Sequence, residues 1–317
     1  MSDDTLREFL EVQARFRLPS VSLVEKDLYV VRAIAALAAV DAAPFALVFG
    51  GGTALARAHK LVRRMSEDVD FKIVPTPAAP VSRSAIRRQI GRIRERVSTA
   101  LQEAGFAFDP NDTSVSWSMN ENRYTVWQLP YNAIAGAGKG LRPTIKIELT
   151  YAPMRRAPVM LPVTSFVAEA TNRPPEVSAV SCVGVIETAA EKLVSLTRRT
   201  AMDLAGASRD TDPALVRHIY DLHMLREHLN PAAVAALTRD IAVADAQEFR
   251  NQYPAYQADI AGETCKALDA LRTDPLHRDR YASFIADMVY GERVEFDGAF
   301  ATVAGLASDT WRTGIGK

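Results

Sequence analysis

Three consecutive glycines are the first feature of this sequence whose residue type and position suggest chemistry. Gly50, Gly51 and Gly52 come after a short apolar run and before a helical pattern. Glycines allow the backbone to approach a phosphate group closely, and the N–H groups that begin a helix favour negative charge. The pattern is typical of a phosphate-binding turn, and an ordinary structural turn is the alternative.

Two acids follow the glycines at a short distance. Asp68 and Asp70 lie in a segment where every second residue is apolar, so both carboxylates lie on one face of a predicted strand. Two carboxylates together with substrate phosphates suit Mg²⁺, which keeps several of its waters. Glycines and acids in this order predict metal-dependent nucleotide chemistry, whereas a solvated strand face is the alternative for the acids alone.

A third carboxylate is predicted to join this pair under one condition. Residues 144–149 alternate in the same way, with Glu148 on the polar face. If this strand lies beside the strand of Asp68 and Asp70, Glu148 completes the metal site or activates an attacking hydroxyl. Otherwise Glu148 is a polar residue on an exposed sheet face.

The elements that must position these residues fall into two parts. Their predicted order is helices 5–17 and 22–40, strand 45–49, helix 53–60, strand 68–73, helix 82–104, strands within 106–131, strand 144–149, a β-like passage 177–183, and helices from 185 to 309. The pattern changes after Pro162. We therefore expect an α+β domain over residues 1–162 and a mainly helical domain over residues 163–317.

The predicted helix 82–104 is unusually basic. Its apolar stripe is flanked by six arginines: Arg83, Arg87, Arg88, Arg92, Arg94 and Arg96. The whole chain has 38 basic and 38 acidic residues, which argues against non-specific coating of nucleic acid but not against a local basic surface. We take Arg87, Arg88, Arg92 and Arg94 as a candidate RNA-binding face, with a solvated helix face as the alternative.

Composition excludes several other classes of protein. No apolar run approaches the roughly 20 residues of a membrane span, and no secretory signal is visible. Cys182 and Cys265 are far apart without metal-ligand spacing, which favours reduced thiols in a cytoplasmic protein. The sequence contains no GxSxG, HExxH or P-loop motif, and the spacing of His218, His223 and His228 does not suit zinc.

Several separated motifs resemble one known family, the AbiEii/AbiGii-type nucleotidyltransferase toxins, which include the MenT toxins. The motifs are Glu25-Lys26-Asp27, Gly51-Gly52-Thr53-Ala54-Leu55, Arg64 with Ser66-Glu67-Asp68-Val69-Asp70-Phe71, Glu191-Lys192-Leu193 and Tyr220-Asp221-Leu222. The resemblance implies a polymerase-β-like nucleotidyltransferase domain, a mixed sheet flanked by helices, followed by a helical-bundle C-terminal domain.

The resemblance also implies an activity and its partners. Such a toxin transfers nucleotides from an NTP to the 3′ end of tRNA with Mg²⁺, which blocks aminoacylation and translation. The base is not specified, and CTP is one candidate. The partner would be a cognate antitoxin, which in some relatives phosphorylates the serine that corresponds to Ser66. No membrane partner is expected.

Family active-site positions map to Ser66, Asp68, Lys192 and Asp221, and His218 departs from the family pattern because many members carry an acid there. Asp68 and Asp70 would bind the metal. The expected NTP-binding residues are Gly51, Gly52, Thr53, Ser66 and Lys192. Asp221 would orient Lys192 or the acceptor. Two alternatives remain open: a nucleotidyltransferase that modifies a small-molecule or protein hydroxyl, and a non-catalytic nucleotide-binding protein.

Overall fold

A computed structural model describes residues 3–136, 138, 140–208 and 211–312 of the chain. The chain forms two compact units, one of Met1–Val183 with Met288–Gly291 and the other of Gly184–Asp287 with Glu292–Lys317. The first unit thus extends beyond the expected boundary at residue 162. The reason is that two strands, Val159–Val163 across that position and Val177–Cys182 after it, pair into the same sheet.

The first unit is built on a mixed sheet. Its strands are β1 Phe45–Gly50, β2 Asp68–Pro75, β3 Ser116–Met119, β4 Tyr124–Pro130, β5 Thr144–Tyr151, β6 Val159–Val163 and β7 Val177–Cys182. Within the described residues the order is β3-β4-β5-β2-β1-β7-β6. β1 runs antiparallel to β2, whereas β2 and β5 are parallel neighbours. The two strands that carry acids are therefore adjacent.

The helices that accompany this sheet, in the part of the chain that the structure describes, are α1 Asp3–Phe16, α2 Val21–Ala38, α3 Gly51–Arg57, α4 Arg83–Glu103 and α5 Phe166–Ala170. The alternation predicted for β2 is confirmed, since Val69, Phe71 and Ile73 are at most 2% exposed. The long basic helix is confirmed as α4. It begins where the Ser82 hydroxyl accepts a hydrogen bond from the Ala85 N–H.

The second unit is helical. Its helices are α6 Val185–Leu204, α7 Arg217–Leu225, α8 Pro231–Glu248, α9 Pro254–Ala258, α10 Ile260–Thr273, α11 Pro275–Met288 and α12 Phe296–Arg312, with short 3₁₀ turns at Pro213–Val216 and Arg226–His228. α6 packs against α7, α8 and α10. Ala190 and Val194 of α6 share a buried cluster with Ile241 and Ala242 of α8. In the described part of the chain, no helix has the length and apolar character that crossing a membrane requires.

Candidate active site

The glycine turn lies directly against the strand of acids. β1 ends at Gly50, which pairs with Asp70 across the antiparallel register. Gly51 has a φ of 70°, and a Cβ there would overlap Asp70 Oδ2. A Cβ on Gly52 would lie 2.9 Å from Ser66 Oγ. Glycine at these positions therefore lets the turn approach the acid and the serine.

This crowding gives a stability prediction. Gly51→Ala is expected to cost roughly 2–5 kcal/mol, because alanine disfavours positive φ and its Cβ displaces the Asp70 carboxylate. Gly105→Ala is the matched control, since Gly105 also has positive φ (90°) but nothing within 4 Å of a Cβ. The control is expected to cost only about 1–2 kcal/mol. Denaturant unfolding of both variants measures the difference, and equal losses would show that the overlap is harmless.

The register of β2 and β5 places the predicted carboxylates on one face. Asp70 pairs with Glu148, and Asp68 pairs with Lys146. Glu148 forms an ion pair with Lys146 and accepts a 2.8 Å hydrogen bond from Tyr124 Oη. Burial and this carboxylate raise the pKa of Tyr124. Among the described residues no group of three acids, histidines or cysteines that could hold a metal was found. The role of Glu148 at the metal site stays a prediction, and its carboxylate contacts Lys146 and Tyr124.

The two aspartates by themselves fit a divalent cation. Asp68 Oδ1 is buried and accepts no well-directed hydrogen bond from any described residue, although Arg142 Nη2 is 2.8 Å away. Asp70 is half-buried on the same face of β2. Two carboxylates on one face of a strand are a suitable ligand set for Mg²⁺, which needs few protein ligands, and a cation there would compete with Arg142 for Asp68.

Ser66 and Thr53 differ in how they are placed. Ser66 is half-buried beside Gly52, with its hydroxyl toward the glycine turn. Thr53 is fully buried, and its hydroxyl donates to the carbonyl oxygen of Asp68. Thr53 therefore joins the beginning of α3 to the beginning of β2, and Ser66 has the more accessible hydroxyl.

The charge cluster at the start of α2 is buried and does not form a solvated cap. Glu25, Lys26 and Asp27 are each at most 1% exposed. Glu25 accepts hydrogen bonds from the N–H groups of Ile134 and Ala135, at 2.8 and 2.9 Å. These contacts anchor the connection between β4 and β5 to α2.

Lys26 and Asp27 each meet an opposite charge. Lys26 Nζ lies 3.4 Å from Glu67, and burial lowers the pKa of Lys26 despite that partner. Asp27 lies 2.7 Å from Arg57 Nε and accepts from the Phe166 N–H. Burial raises the pKa of Asp27 to about 6, with Arg57 acting in the opposite direction. Buried charges need such partners to be tolerated at all.

Lys192 and Asp221 form a buried ion pair within the second unit. Lys192 Nζ is 2.9 Å from Asp221 Oδ2, and the two side chains are 8% and 0% exposed. His218 approaches the same helix, with Nδ1 3.2 Å from the Lys192 carbonyl oxygen. Asp221 therefore neutralises Lys192, and its orienting role in catalysis stays a prediction.

His218 leads to a prediction about pH. Burial, and then the Lys192 charge, lower its pKa from 6.5 to about 3. The unfolded chain therefore binds more protons than the folded chain between these values, and stability is lost as pH falls through the window. In His218→Gln the number of protons taken up on unfolding is expected to fall by about one, so stability should depend less steeply on pH in this window. Thermal melts from neutral to mildly acidic pH measure it, with exposed His228→Gln as control. An unchanged slope in His218→Gln would contradict the assignment.

The four predicted RNA-binding arginines all lie on α4 but have different neighbours. Arg87 and Arg88 line a cleft of about 670 Å³ together with Arg83, Gly91, Glu121 and Asn122. Arg94 instead donates to Ser116 Oγ at 3.3 Å, and Arg92 lines a separate cleft that also contains acids. Neither Arg87 nor Arg88 has an ion pair with a described residue, so these two are the available cations.

Sequence reasoning did not find Arg142. It lies in an irregular connection without periodicity, yet it contacts both Glu67 and Asp68. One feature of the sequence could have indicated its role. Arg142 lies two residues before the strand of Glu148, which was expected beside the acids if the two strands were neighbours.

A glycine turn against an Asp-x-Asp strand of a mixed sheet, with a helical unit that carries a buried Lys–Asp pair, is the arrangement of a nucleotidyltransferase. The family model for the nucleotidyl transferase AbiEii toxin of type IV toxin–antitoxin systems matches residues 32–302. The chain belongs to this family. The resemblance drawn from the motifs is thereby confirmed.

The fold has a solved counterpart. The MenT4 nucleotidyltransferase toxin of Mycobacterium tuberculosis superposes with a TM-score of 0.50 at 15% identity, over 94% of this chain and 98% of that chain. Together with the observed mixed sheet, this likeness confirms the expected α+β, polymerase-β-like fold with a helical C-terminal part. No curated protein sequence matches the chain.

Proposed function

We propose that this toxin uses Mg²⁺ and an NTP to add nucleotides to the 3′ end of tRNA, which blocks aminoacylation and translation. The observation that carries the proposal is the placement of Asp68 and Asp70 on one strand face beside the glycine turn. Family membership supports nucleotidyl transfer. CTP is one candidate for the NTP.

In this reaction the tRNA 3′-oxygen bonds to the α-phosphorus, and the bond from that phosphorus to pyrophosphate breaks. Asp68 and Asp70 would hold Mg²⁺, which when bound neutralises phosphate charge and favours the deprotonated hydroxyl. Glu148, across the register from Asp70, is the candidate acceptor of the hydroxyl proton. Gly51 and Gly52 leave room for the phosphates.

Ser66 and Lys192 would contact the triphosphate. Ser66 offers a hydroxyl beside Gly52, and Lys192 offers a positive charge held by Asp221. A phosphate on Ser66 would add nearly two negative charges at this place, which opposes NTP binding. We therefore propose that the cognate antitoxin, the partner implied by the family, can act through Ser66. We propose a cytoplasmic location as well, because the proposed substrates, NTPs and tRNA, are cytoplasmic.

The cleft of Arg87 and Arg88 is the proposed contact with the tRNA backbone. Arg87→Glu/Arg88→Glu is expected to weaken tRNA binding about tenfold or more and to lower the salt dependence, because fewer phosphates are neutralised. Filter binding at several salt concentrations measures both. Arg226→Glu/Arg272→Glu, which reverses two exposed arginines of the second unit, is the matched control. Equal affinity in the two double variants would remove this surface from the proposal.

The acceptor is tested by incubating purified protein with Mg²⁺, total tRNA and each α-labelled NTP in turn. We expect label on tRNA with a preferred NTP and none on periodate-oxidised tRNA, which lacks the 3′-hydroxyl. If the label is found on protein or on a small hydroxyl compound instead, the protein is still a nucleotidyltransferase, but its acceptor is not tRNA. No transfer to any acceptor would contradict the proposal.

A further inference from the structure

Arg142 lies against the carboxylate that would hold the metal. Its Nη2 is 2.8 Å from Asp68 Oδ1 and 3.1 Å from Oδ2, and its Nε is 3.4 Å from Glu67 Oε1. The guanidinium therefore supplies positive charge at Asp68. A divalent cation that binds Asp68 must compete with it, since both need the same oxygens and like charges repel.

The backbone of Arg142 is fixed by buried charges. Its N–H donates to Glu67 Oε2 at 2.9 Å, and its carbonyl oxygen accepts from Lys26 Nζ at 2.7 Å. Lys26 also donates to the carbonyl oxygen of Thr144 at 2.6 Å. Lys26 and Glu67 are 0% and 2% exposed. The start of β5 is thus firmly attached, and these contacts do not depend on the Arg142 side chain.

The side chain of Arg142 has more freedom than its backbone. It is 36% exposed, in contrast to the buried groups that hold the main chain. A guanidinium on a fixed backbone can exchange one anionic partner for another within reach of its side chain. Its planar donors match two phosphate oxygens as well as they match a carboxylate.

We propose that Arg142 is a phosphate-binding residue that occupies Asp68 in the free protein and moves to the NTP phosphates when metal and nucleotide bind. The inference rests on the proposed function, because it takes the NTP as the donor. It assigns a role to buried Lys26 of α2 and to buried Glu67, which is to hold the backbone of this arginine beside the metal-binding carboxylate. No covalent bond changes in this exchange.

The exchange has a consequence that a purely structural role lacks. Removing the guanidinium takes away a competitor for the metal and a ligand for the nucleotide. Arg142→Ala should therefore bind a divalent cation more tightly but the NTP more weakly. A residue that only stabilised the connection before β5 would weaken both ligands together.

Calorimetric titration without RNA tests this. Mn²⁺ alone is titrated into the protein, and NTP is titrated separately in the presence of Mg²⁺. For Arg142→Ala we expect the Mn²⁺ Kd to fall about threefold or more and the NTP Kd to rise about tenfold. Arg142→Lys keeps the positive charge but removes the planar pair of N–H donors, so Mn²⁺ binding should stay near wild type while NTP binding weakens. Arg173→Ala, at an exposed arginine of the same unit, is the control and should change neither.

The outcomes separate the inference from the proposed function. If Arg142→Ala binds both Mn²⁺ and the NTP more weakly, or if neither affinity changes, the inference is overturned. The proposed function still stands in that case, provided that the wild-type protein binds the NTP. If Arg142→Ala does not fold, wild-type NTP affinity in Arg142→Lys overturns the inference. A wild-type protein that binds no NTP with Mg²⁺ overturns both.

Discussion

Asp68→Asn is expected to lower the rate of nucleotide transfer about 1,000-fold or more while the protein stays folded. Asparagine keeps the size of the side chain but removes the negative charge that would hold Mg²⁺, and such a metal supplies several kcal/mol of transition-state stabilisation. Asp68 is 30% exposed at the start of β2. Its replacement therefore leaves the buried face of the strand unchanged.

The matched control for this variant is Asp41→Asn. Asp41 is also an aspartate that meets an arginine, at 3.6 Å from Arg96, but it belongs to no predicted site. Initial rates with α-labelled NTP and melting temperatures are measured for both variants. Transfer by Asp68→Asn above about a tenth of the wild-type rate would exclude Asp68 as a metal ligand, since an essential ligand costs far more.

The second large effect concerns the buried pair in the second unit. Asp221→Asn is expected to destabilise the protein by roughly 3–5 kcal/mol, because it leaves the Lys192 ammonium buried without its partner. Lys192→Met/Asp221→Leu removes both charges, and a buried pair replaced by apolar residues is often neutral for stability. This double variant should therefore regain most of the stability. It should still be inactive, because the positive charge proposed to contact the phosphates is gone.

Denaturant unfolding and transfer rates, measured on the same samples, separate the two roles. The comparison pair is Arg199 and Asp212, which are 2.8 Å apart in the second unit but are 38% and 34% exposed. Arg199→Met is expected to cost about 1 kcal/mol or less, since an exposed pair contributes little. A Lys192→Met/Asp221→Leu variant that is both stable and active would make the pair purely structural.

Local sequence patterns were enough to predict the elements that carry the acids. Alternation defined the faces of β2 and β5, because side chains in a strand point to opposite sides in turn. Whether the two strands are neighbours depends on pairing across the long segment 76–143 that separates them, which no local pattern encodes. For that reason the position of Glu148 beside Asp70 could be predicted only conditionally. The pairing occurs, but Lys146 and Tyr124 engage the carboxylate.

Features that depend on distant contacts were beyond such patterns. Glu25, Lys26 and Asp27 have the composition of a solvated helix start, and only the tertiary structure shows that they are buried against the connection before β5. The proposed roles of Arg142 and Glu67 likewise depend on contacts between residues that are distant in the sequence. The end of the first unit at Val183 likewise follows from the pairing of β7 with β1, whereas composition changes at Pro162.

The most direct test of nucleotidyl transfer compares two positions of label in the same NTP. Purified protein is incubated with Mg²⁺, tRNA and NTP labelled either at the α-phosphate or at the γ-phosphate. If Asp68 and Asp70 support attack on the α-phosphorus, the α label joins the tRNA and the γ label leaves in pyrophosphate. Transfer of the γ label, or retention of α transfer by Asp68→Asn, would contradict this account of the site.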